Sequence, residues 1–183
     1  MKHIVTDQST LHKPYLYILL AVCLAAAGYT GLTIRYIISR GLIPWMDVVT
    51  LVIVWLFLAV IGLTRAEYRL EDKAVVMTVR NPLRTRRVTV PYSAINGVHP
   101  FKVQLVKNVF YRYTFRLYSY LDNRTIWSMI FTIPGKDKNA RVLMKASETF
   151  WEALEAKCPG KIRITQDEAV TNTYIRMNQA EKK

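Results

Sequence analysis

The chain is poor in the residue types that build disulfide frameworks and metal centres. Only two cysteines and three histidines occur among its 183 residues. Cys23 lies inside an apolar segment and Cys158 lies near the far end of the chain. These two cysteines provide no disulfide framework, and no set of His, Cys and acidic residues has the spacing of a metal site. The sequence therefore predicts neither a metal site nor a cofactor.

Catalytic motifs are equally scarce. The sequence contains no glycine-rich phosphate loop, no HExxH motif and no GxSxG motif. His99 is the last of the three histidines, and Asp122 and Asp137 fall in predicted turns, where aspartate usually stabilises the turn itself. We expect no catalytic residue and no enzymatic activity. The alternative is a membrane-bound enzyme, or an accessory subunit of one, in which His99 or Asp122 contributes.

Acidic residues are half as numerous as basic ones. The chain has 13 Asp and Glu against 26 Lys and Arg, a formal net charge of +13. Four of the basic and two of the acidic residues precede residue 65, so 22 basic and 11 acidic residues lie from Arg65 onward. Such a balance indicates an anionic partner, and beside a bilayer the nearest one is the layer of lipid headgroups.

Two long uncharged segments dominate the first third of the chain. Pro14 to Ile34 is 21 residues without a charge, which at about 1.5 Å per residue matches a hydrocarbon core of roughly 30 Å. Val48 to Thr64 adds 17 more, with Asp47 in the first turn. Because a backbone in lipid must satisfy its own hydrogen bonds, residues 14–64 are predicted to form a transmembrane helical hairpin that turns through Arg35 to Pro44. Residues 1–13 are expected to be a polar tail.

Beyond residue 64 the apolar period changes to two, which predicts β-strands. Three strands should form an antiparallel meander, and two later strands should pair as a long hairpin. A further strand is expected around Lys102 to Val106. The five strands are predicted at Ala66–Glu71, Ala74–Arg80, Thr85–Tyr92, Phe110–Tyr120 and Arg124–Ile133.

A helix is predicted from Asn139 to Lys157, where Pro159-Gly160 ends it. Its apolar stripe comprises Leu143, Ser147, Phe150, Trp151, Leu154 and Cys158. Residues 161–183 are polar and are expected to be a tail with a frayed end and a short strand at most, at Ile162–Thr165. The predicted fold class is a membrane α-hairpin followed by an α+β, mainly β, soluble domain.

Three stretches of the soluble part resemble a known family. They are Tyr68-Arg69-Leu70, Val75–Arg80, and Val90 to Val98, in which a strand ends in a proline and leads into I-x-x-V. This pattern is similar to the bacterial pleckstrin-homology-like (PH-like) domain of small membrane proteins. One departure is Asn81-Pro82-Leu83-Arg84, where the family often has a glycine. The layout of hairpin plus sheet also resembles small assembly factors of photosynthetic membranes.

The resemblance carries expectations about fold and location. It implies a curved antiparallel sheet over residues 65–160, closed by the C-terminal helix that contains Phe150-Trp151. It also implies an integral protein of the bacterial inner membrane. The function expected is a non-enzymatic, membrane-anchored module that binds protein or anionic lipid and supports the assembly of a membrane complex.

Four arginines form the candidate binding site for lipid or a partner: Arg80, Arg84, Arg86 and Arg87. They lie around one predicted turn, which either is simply solvated or contacts anionic headgroups or an acidic protein segment. Arg86 and Val88 should share one strand face and Arg87 and Thr89 the other, so at least one arginine faces outward. The expected partners are the bilayer and either another membrane protein or a second copy of the chain.

Nucleic acid is not expected as a partner. The aromatic strand with Tyr111, Tyr113 and Phe115 could suggest base stacking, but aromatic residues on one face of a strand usually form core.

The orientation of the hairpin is the first testable prediction. Seven basic residues flank the spans on the side of the termini and two lie in the turn, which favours cytoplasmic termini. In a background with Cys23 and Cys158 replaced by serine, Gly41→Cys should react with a membrane-impermeant thiol reagent in intact cells. Asn178→Cys should not. The reverse labelling would overturn the assignment.

Overall fold

Two apolar helices accompany a mixed α/β domain that contains two four-stranded sheets. The computed structural model describes residues 5–101, 113–133 and 138–180. The elements in chain order are β1 (Val5–Gln8), α1 (Lys13–Arg40), α2 (Trp45–Leu63), β2 (Arg65–Leu70), β3 (Ala74–Arg80), β4 (Thr85–Pro91), β5 (Ile95–Pro100), β6 (Tyr113–Arg116), β7 (Trp127–Thr132), β8 (Asn139–Met144), α3 (Glu148–Lys157) and α4 (Gln166–Ala180).

Helices α1 and α2 are both long and apolar enough to cross a membrane. The connection between them is shorter than predicted, because α1 continues past Arg35 and ends only where Gly41 adopts a left-handed conformation with φ of 66°. The N–H of Gly41 caps the helix by donating to the Ile37 carbonyl. Asp47 lies in the first turn of α2, as predicted. Along these helices few side chains are buried, and the indole N–H of Trp55 donates to Thr30 Oγ1 at 3.2 Å.

The first sheet is an antiparallel meander in the order β1-β2-β3-β4. The predicted strands β2, β3 and β4 and the turns between them are confirmed to within one or two residues. The register places Leu70 opposite Val75 and Val79 opposite Arg86. Alternation along β2 and β3 buries Ala66, Tyr68, Leu70, Val75 and Met77 on the core face.

The N-terminal segment is not the polar tail that was expected. Val5–Gln8 forms β1, which pairs with β2 so that Gln8 lies opposite Glu67. Four residues are too few to show a period, and the strand is stabilised by its pairing with residues about 60 positions away. The helical hairpin α1–α2 is therefore inserted in the connection between two adjacent strands of one sheet.

The second sheet has the order β5-β7-β8-β6. Strands β5, β7 and β8 are antiparallel, whereas β6 runs parallel to β8. The predicted hairpin between Phe110–Tyr120 and Arg124–Ile133 is wrong, because β8 lies between β6 and β7. The predicted strand at Lys102–Val106 and residues Tyr111, Arg112 and Asp137 lie outside the described residues.

The predicted helix start at Asn139 is also wrong. Residues 139–144 form β8, whose alternate residues Ala140, Val142 and Met144 are buried in the core. Ser147 ends the extended segment and caps α3, since its hydroxyl accepts a hydrogen bond from the N–H of Phe150 at 3.3 Å. Leu143 and Ser147 therefore leave the predicted stripe, while Phe150, Trp151, Leu154 and Cys158 are buried as expected.

Residues 166–180, expected to belong to a polar tail, form α4, which contacts β5. The contact is close because Gly97 has no side chain: a Cβ there would lie 2.6 Å from Ala169 Cβ. Asn172 and Arg176 donate hydrogen bonds to the main-chain and side-chain oxygens of Asn96. The possible strand at Ile162–Thr165 is reduced to a single bridge between Ile162 and Val98.

One core lies among the two sheets and α3. Its centre contains Tyr68, Met77, Met129, Phe150 and Trp151, each at most 1% exposed. The ring of Trp151 lies 5.1 Å from that of Trp127, and Phe150 lies 5.9 Å from Tyr68. Within the described residues the sheets do not close into a barrel.

Trp151→Ala should therefore destabilise the domain strongly. Emptying this site is expected to cost about 3–5 kcal/mol, a large part of the stability of a small domain. Thermal unfolding of the detergent-purified protein, followed by near-UV circular dichroism, measures the loss. The matched control is Trp45→Ala, because Trp45 is 67% exposed. Equal melting of the two variants would show that α3 does not hold the core.

Candidate functional site

A basic cavity of about 590 Å³ opens beside the last turn of α2. Three arginines line it, Arg86 from β4, Arg116 from β6 and Arg141 from β8. The other lining residues are Val60, Thr64, Val79, Asn81, Thr114, Tyr118 and Tyr120. No carboxylate lines the cavity in the part of the chain that the structure describes. We refer to this site as the basic cavity.

Of the four arginines predicted around the β3–β4 turn, Arg86 lines the basic cavity. It lies opposite Val79 and shares a strand face with Val88 and the buried Val90, so its side chain is on the core-facing side at the rim of the sheet. Arg87 is on the other face and forms a 3.8 Å ion pair with Glu71. Both arginines are exposed, in agreement with the prediction that at least one faces outward.

Arg80 and Arg84 are exposed and do not line the cavity. Arg84 belongs to the turn, where its N–H donates to Asn81 Oδ1 at 2.7 Å. Asn81 also accepts from the N–H of Leu83, so its side chain organises the turn in which the PH-like family often has a glycine. The candidate site from the sequence is therefore divided between a turn and a cavity.

Arg116 and Arg141 complete the cavity from the second sheet. Thr114 lies opposite Arg141 in the parallel pair β6–β8, and Arg116 is two residues further along the same strand face. The guanidinium of Arg141 lies 5.4 Å from the ring centre of Phe101. The sequence predicts the strand that contains Arg116 but does not single out this arginine, and it predicts a helix over the segment that contains Arg141.

The cavity has the composition of an anion site. Arginine presents a planar fork of donors that suits phosphate and carboxylate oxygens. Neither Arg86 nor Arg116 forms an ion pair within the described residues. The hydroxyls of Thr114 and the two tyrosines add neutral hydrogen-bonding groups, and the rings of Tyr118 and Tyr120 contact edge to face at 5.8 Å. An anion with several oxygens would therefore find charge and directional donors together.

A second charged group, the junction cluster, consists of Asp7, Asp122 and Arg124. Arg124 donates to both Asp122 oxygens, with Nη2 to Oδ2 at 2.6 Å, and to Asp7 Oδ2 at 2.9 Å. Asp7 Oδ2 also accepts from the N–H of Ser147, and Asp122 accepts from Thr10. This cluster joins β1, the loop before β7 and the start of α3.

The junction cluster engages the carboxylate of Asp122, which the alternative enzymatic interpretation names as a contributor. Burial acts to raise the pKa of the Asp122 carboxyl, but hydrogen bonds from Arg124 and its positive charge outweigh burial and hold that pKa below its ordinary value. Asp122 is 0% exposed and both of its oxygens are engaged. It stays ionised and acts as a structural anion.

His99 is likewise remote from solvent. It is 3% exposed on β5, where Nδ1 lies 2.9 Å from the Pro100 carbonyl oxygen. Burial lowers the pKa of its imidazole. Its cross-strand neighbour Ser128 is also fully buried. Neither side chain is accessible to a substrate from solution.

The comparisons with known proteins do not identify the site. No protein-family model, no curated protein and no solved structure matches this chain. The architecture nevertheless defines a class: two helices able to cross a membrane, followed by a mixed α/β domain with two sheets. Among the described residues no group of three or more His, Cys, Asp or Glu could hold a metal ion.

Arg124→Leu should destabilise the protein by about 3–5 kcal/mol at pH 7, because two carboxylates lose their buried partner. In the wild type the folded pKa of Asp122 lies below its unfolded value of about 3.9, so its contribution is present above that pH and is lost as the pH falls through the folded pKa. In the variant the guanidinium is gone and, of the donors that the structure describes, only Thr10 and the main-chain N–H of residue 124 still donate to Asp122, so burial raises this pKa relative to the wild type. The melting temperature of Arg124→Leu should therefore increase as the pH is lowered from 7 to 5, unlike that of the wild type.

Two further variants control this prediction. Arg69→Leu breaks an exposed ion pair with Glu67 and should cost at most about 1 kcal/mol. Adding Asp122→Asn to Arg124→Leu should recover part of the loss, since it removes one of the stranded charges. A parallel pH dependence of the wild type and Arg124→Leu would contradict the role assigned to the cluster.

Proposed function

We propose that this protein is a non-enzymatic, membrane-anchored module that binds an anionic group in the basic cavity and supports the assembly of a membrane complex. The observation that carries the proposal is the convergence of Arg86, Arg116 and Arg141, from three strands, beside the end of α2. The anionic group is a phosphate-bearing headgroup or an acidic segment of a membrane protein, including a second copy of this chain. Both are oxyanions that arginine binds through paired hydrogen bonds.

In this proposal α1 and α2 cross the bacterial inner membrane, with both termini in the cytoplasm. The pairing of β1 with β2 supports termini on one side, because the strands that lead into α1 and out of α2 are neighbours. The basic residues that flank the spans favour the cytoplasm as that side. The basic cavity then lies at the level of the cytoplasmic headgroups, where anionic lipids are found.

The domain is proposed to be a variant of the PH-like fold. The antiparallel meander β2–β4 and the docking of α3 through Phe150 and Trp151 support this assignment. The parallel pairing of β6 with β8 and the addition of α4 are departures from a single antiparallel sheet closed by one helix.

Titration of the full-length protein in detergent with inorganic pyrophosphate at low salt tests the cavity. Arg86→Gln combined with Arg116→Gln should weaken binding about tenfold or more for each arginine, because a hydrogen bond to a charged group contributes roughly 1.5–3 kcal/mol. The matched control combines Arg80→Gln and Arg84→Gln, which removes the same charge from two exposed residues outside the cavity. Added salt should weaken wild-type binding by screening.

Equal affinities of the two double variants would refute an anion site in the basic cavity. For the assembly role, a strictly monomeric protein without a co-purifying subunit in mild detergent counts against the proposal. The full chain is required in these tests, because a fragment that begins at residue 66 lacks β1 and the Asp7 carboxylate.

A further inference from the structure

An apolar groove of about 640 Å³ lies between α1 and α2. Ile18 and Val22 line it from α1, and Ile53 and Phe57 line it from α2. At the domain end it is bounded by Tyr120, Leu121 and Lys145. We refer to this surface as the apolar groove. Its size and that of the basic cavity both fall within the range of roughly 300–1,000 Å³ typical of small-molecule sites.

One face of α2 joins the apolar groove to the basic cavity. Ile53, Phe57, Val60 and Thr64 are spaced by four, three and four residues, so they form a single stripe along the helix. The first two line the groove and the last two line the cavity. Tyr120 lines both. A ligand can therefore extend from one site into the other along α2.

The length of this stripe matches an acyl chain in one leaflet. Ile53 and Thr64 are separated by 11 residues, a rise of about 16 Å along the helix. Half of a hydrocarbon core of roughly 30 Å is about 15 Å. The joined site therefore extends over about the thickness of a single leaflet along α2, with the apolar groove at the Ile53 end and the basic cavity at the Thr64 end.

The basic groups of the joined site differ in their pairing between the apolar groove and the basic cavity. Lys145, at the domain end of the groove, is 8% exposed, and its ammonium donates to the main-chain carbonyl of Asp122 and lies 5.2 Å from the ring centre of Tyr118. Asp122 is balanced by Arg124. The three arginines of the basic cavity have no carboxylate among the described lining residues. The site thus suits a ligand with one anionic end and one apolar end.

The geometry points to an anionic glycerophospholipid of the surrounding bilayer as the occupant of the joined site. Its phosphate binds in the basic cavity and an acyl chain lies in the apolar groove, with Tyr120 at the boundary. This inference rests on the proposed anion site and adds the class of ligand. An acidic protein segment would supply carboxylate oxygens to the cavity but no acyl chain to the groove.

Two probes with the same headgroup test the inference in the full-length, detergent-solubilised protein. Glycerol 3-phosphate carries the phosphate alone, and dioctanoyl phosphatidic acid adds two acyl chains to it. The wild type should bind the lipid at least about tenfold more tightly than the headgroup. It should also prefer this lipid to the zwitterionic dioctanoyl phosphatidylcholine.

A matched pair of variants tests whether the acyl chain lies in the apolar groove. Ile53→Trp fills the groove and should abolish the preference for the lipid over glycerol 3-phosphate while leaving pyrophosphate binding unchanged, which also reports that the cavity is folded. Val52→Trp is the control, because Val52 has the same 61% exposure as Ile53 and does not line the groove. Arg86→Gln with Arg116→Gln should weaken binding of both probes.

The outcomes separate this inference from the proposed function. If the wild type binds pyrophosphate but shows no preference for the acylated probe, the lipid assignment fails and the anion site stands. The same holds if Ile53→Trp and Val52→Trp behave alike. If pyrophosphate does not bind the wild type at all, the proposed function itself fails. Equal affinities for the anionic and zwitterionic lipids would overturn the role of the arginines.

Discussion

The pairing of β1 with β2 is the constraint on which the rest of the structure depends. It brings the residues just before α1 beside those just after α2, and the helical hairpin becomes an insertion between neighbouring strands. The main chain reinforces this: Ser9 donates to the Ala66 carbonyl, and His12 donates to the Leu121 carbonyl. Because both ends of the hairpin are held at one end of the sheet, the last turn of α2 lies where it can form a wall of the basic cavity.

Arg124 stabilises this arrangement because its guanidinium forms ion pairs with two carboxylates. It is bonded to Asp7 of β1 and to the buried Asp122, and Asp7 in turn accepts from the N–H of Ser147 at the cap of α3. A buried ion pair is tolerated only when its donors and acceptors are nearly all satisfied, and here they are shared among three parts of the chain. Asp7 and Asp122 are paired with Arg124 and do not line the basic cavity, so the positive charge of Arg86 and Arg116 is not neutralised by these carboxylates.

The second sheet supplies two of the three arginines of the basic cavity. Because β6 pairs in parallel with β8, Thr114 comes opposite Arg141 and Arg116 follows on the same face. An antiparallel hairpin of β6 with β7 would have kept Arg141 away from β6. The joined site combines side chains from positions 15 to 145. Alternation along β4 places Arg86, helical spacing along α2 places Phe57 and Val60, and the edge position of β6 places Arg116.

The sequence by itself determined the two apolar helices, the meander β2–β4, and the buried face of α3 with Phe150, Trp151 and Leu154. In these segments the apolar period is long enough to be read, and the environment of each element agrees with its local preference. Of the candidate site it indicated Arg86, as one of four arginines, and the strand that contains Arg116. Only the tertiary structure decided β1, β8 and α4, and with them the cluster at Arg124 and the position of Arg141. Four residues of β1, six of β8 and the polar α4 acquire their structure from partners distant in the chain, and the free energy of such pairing is not encoded in any local period.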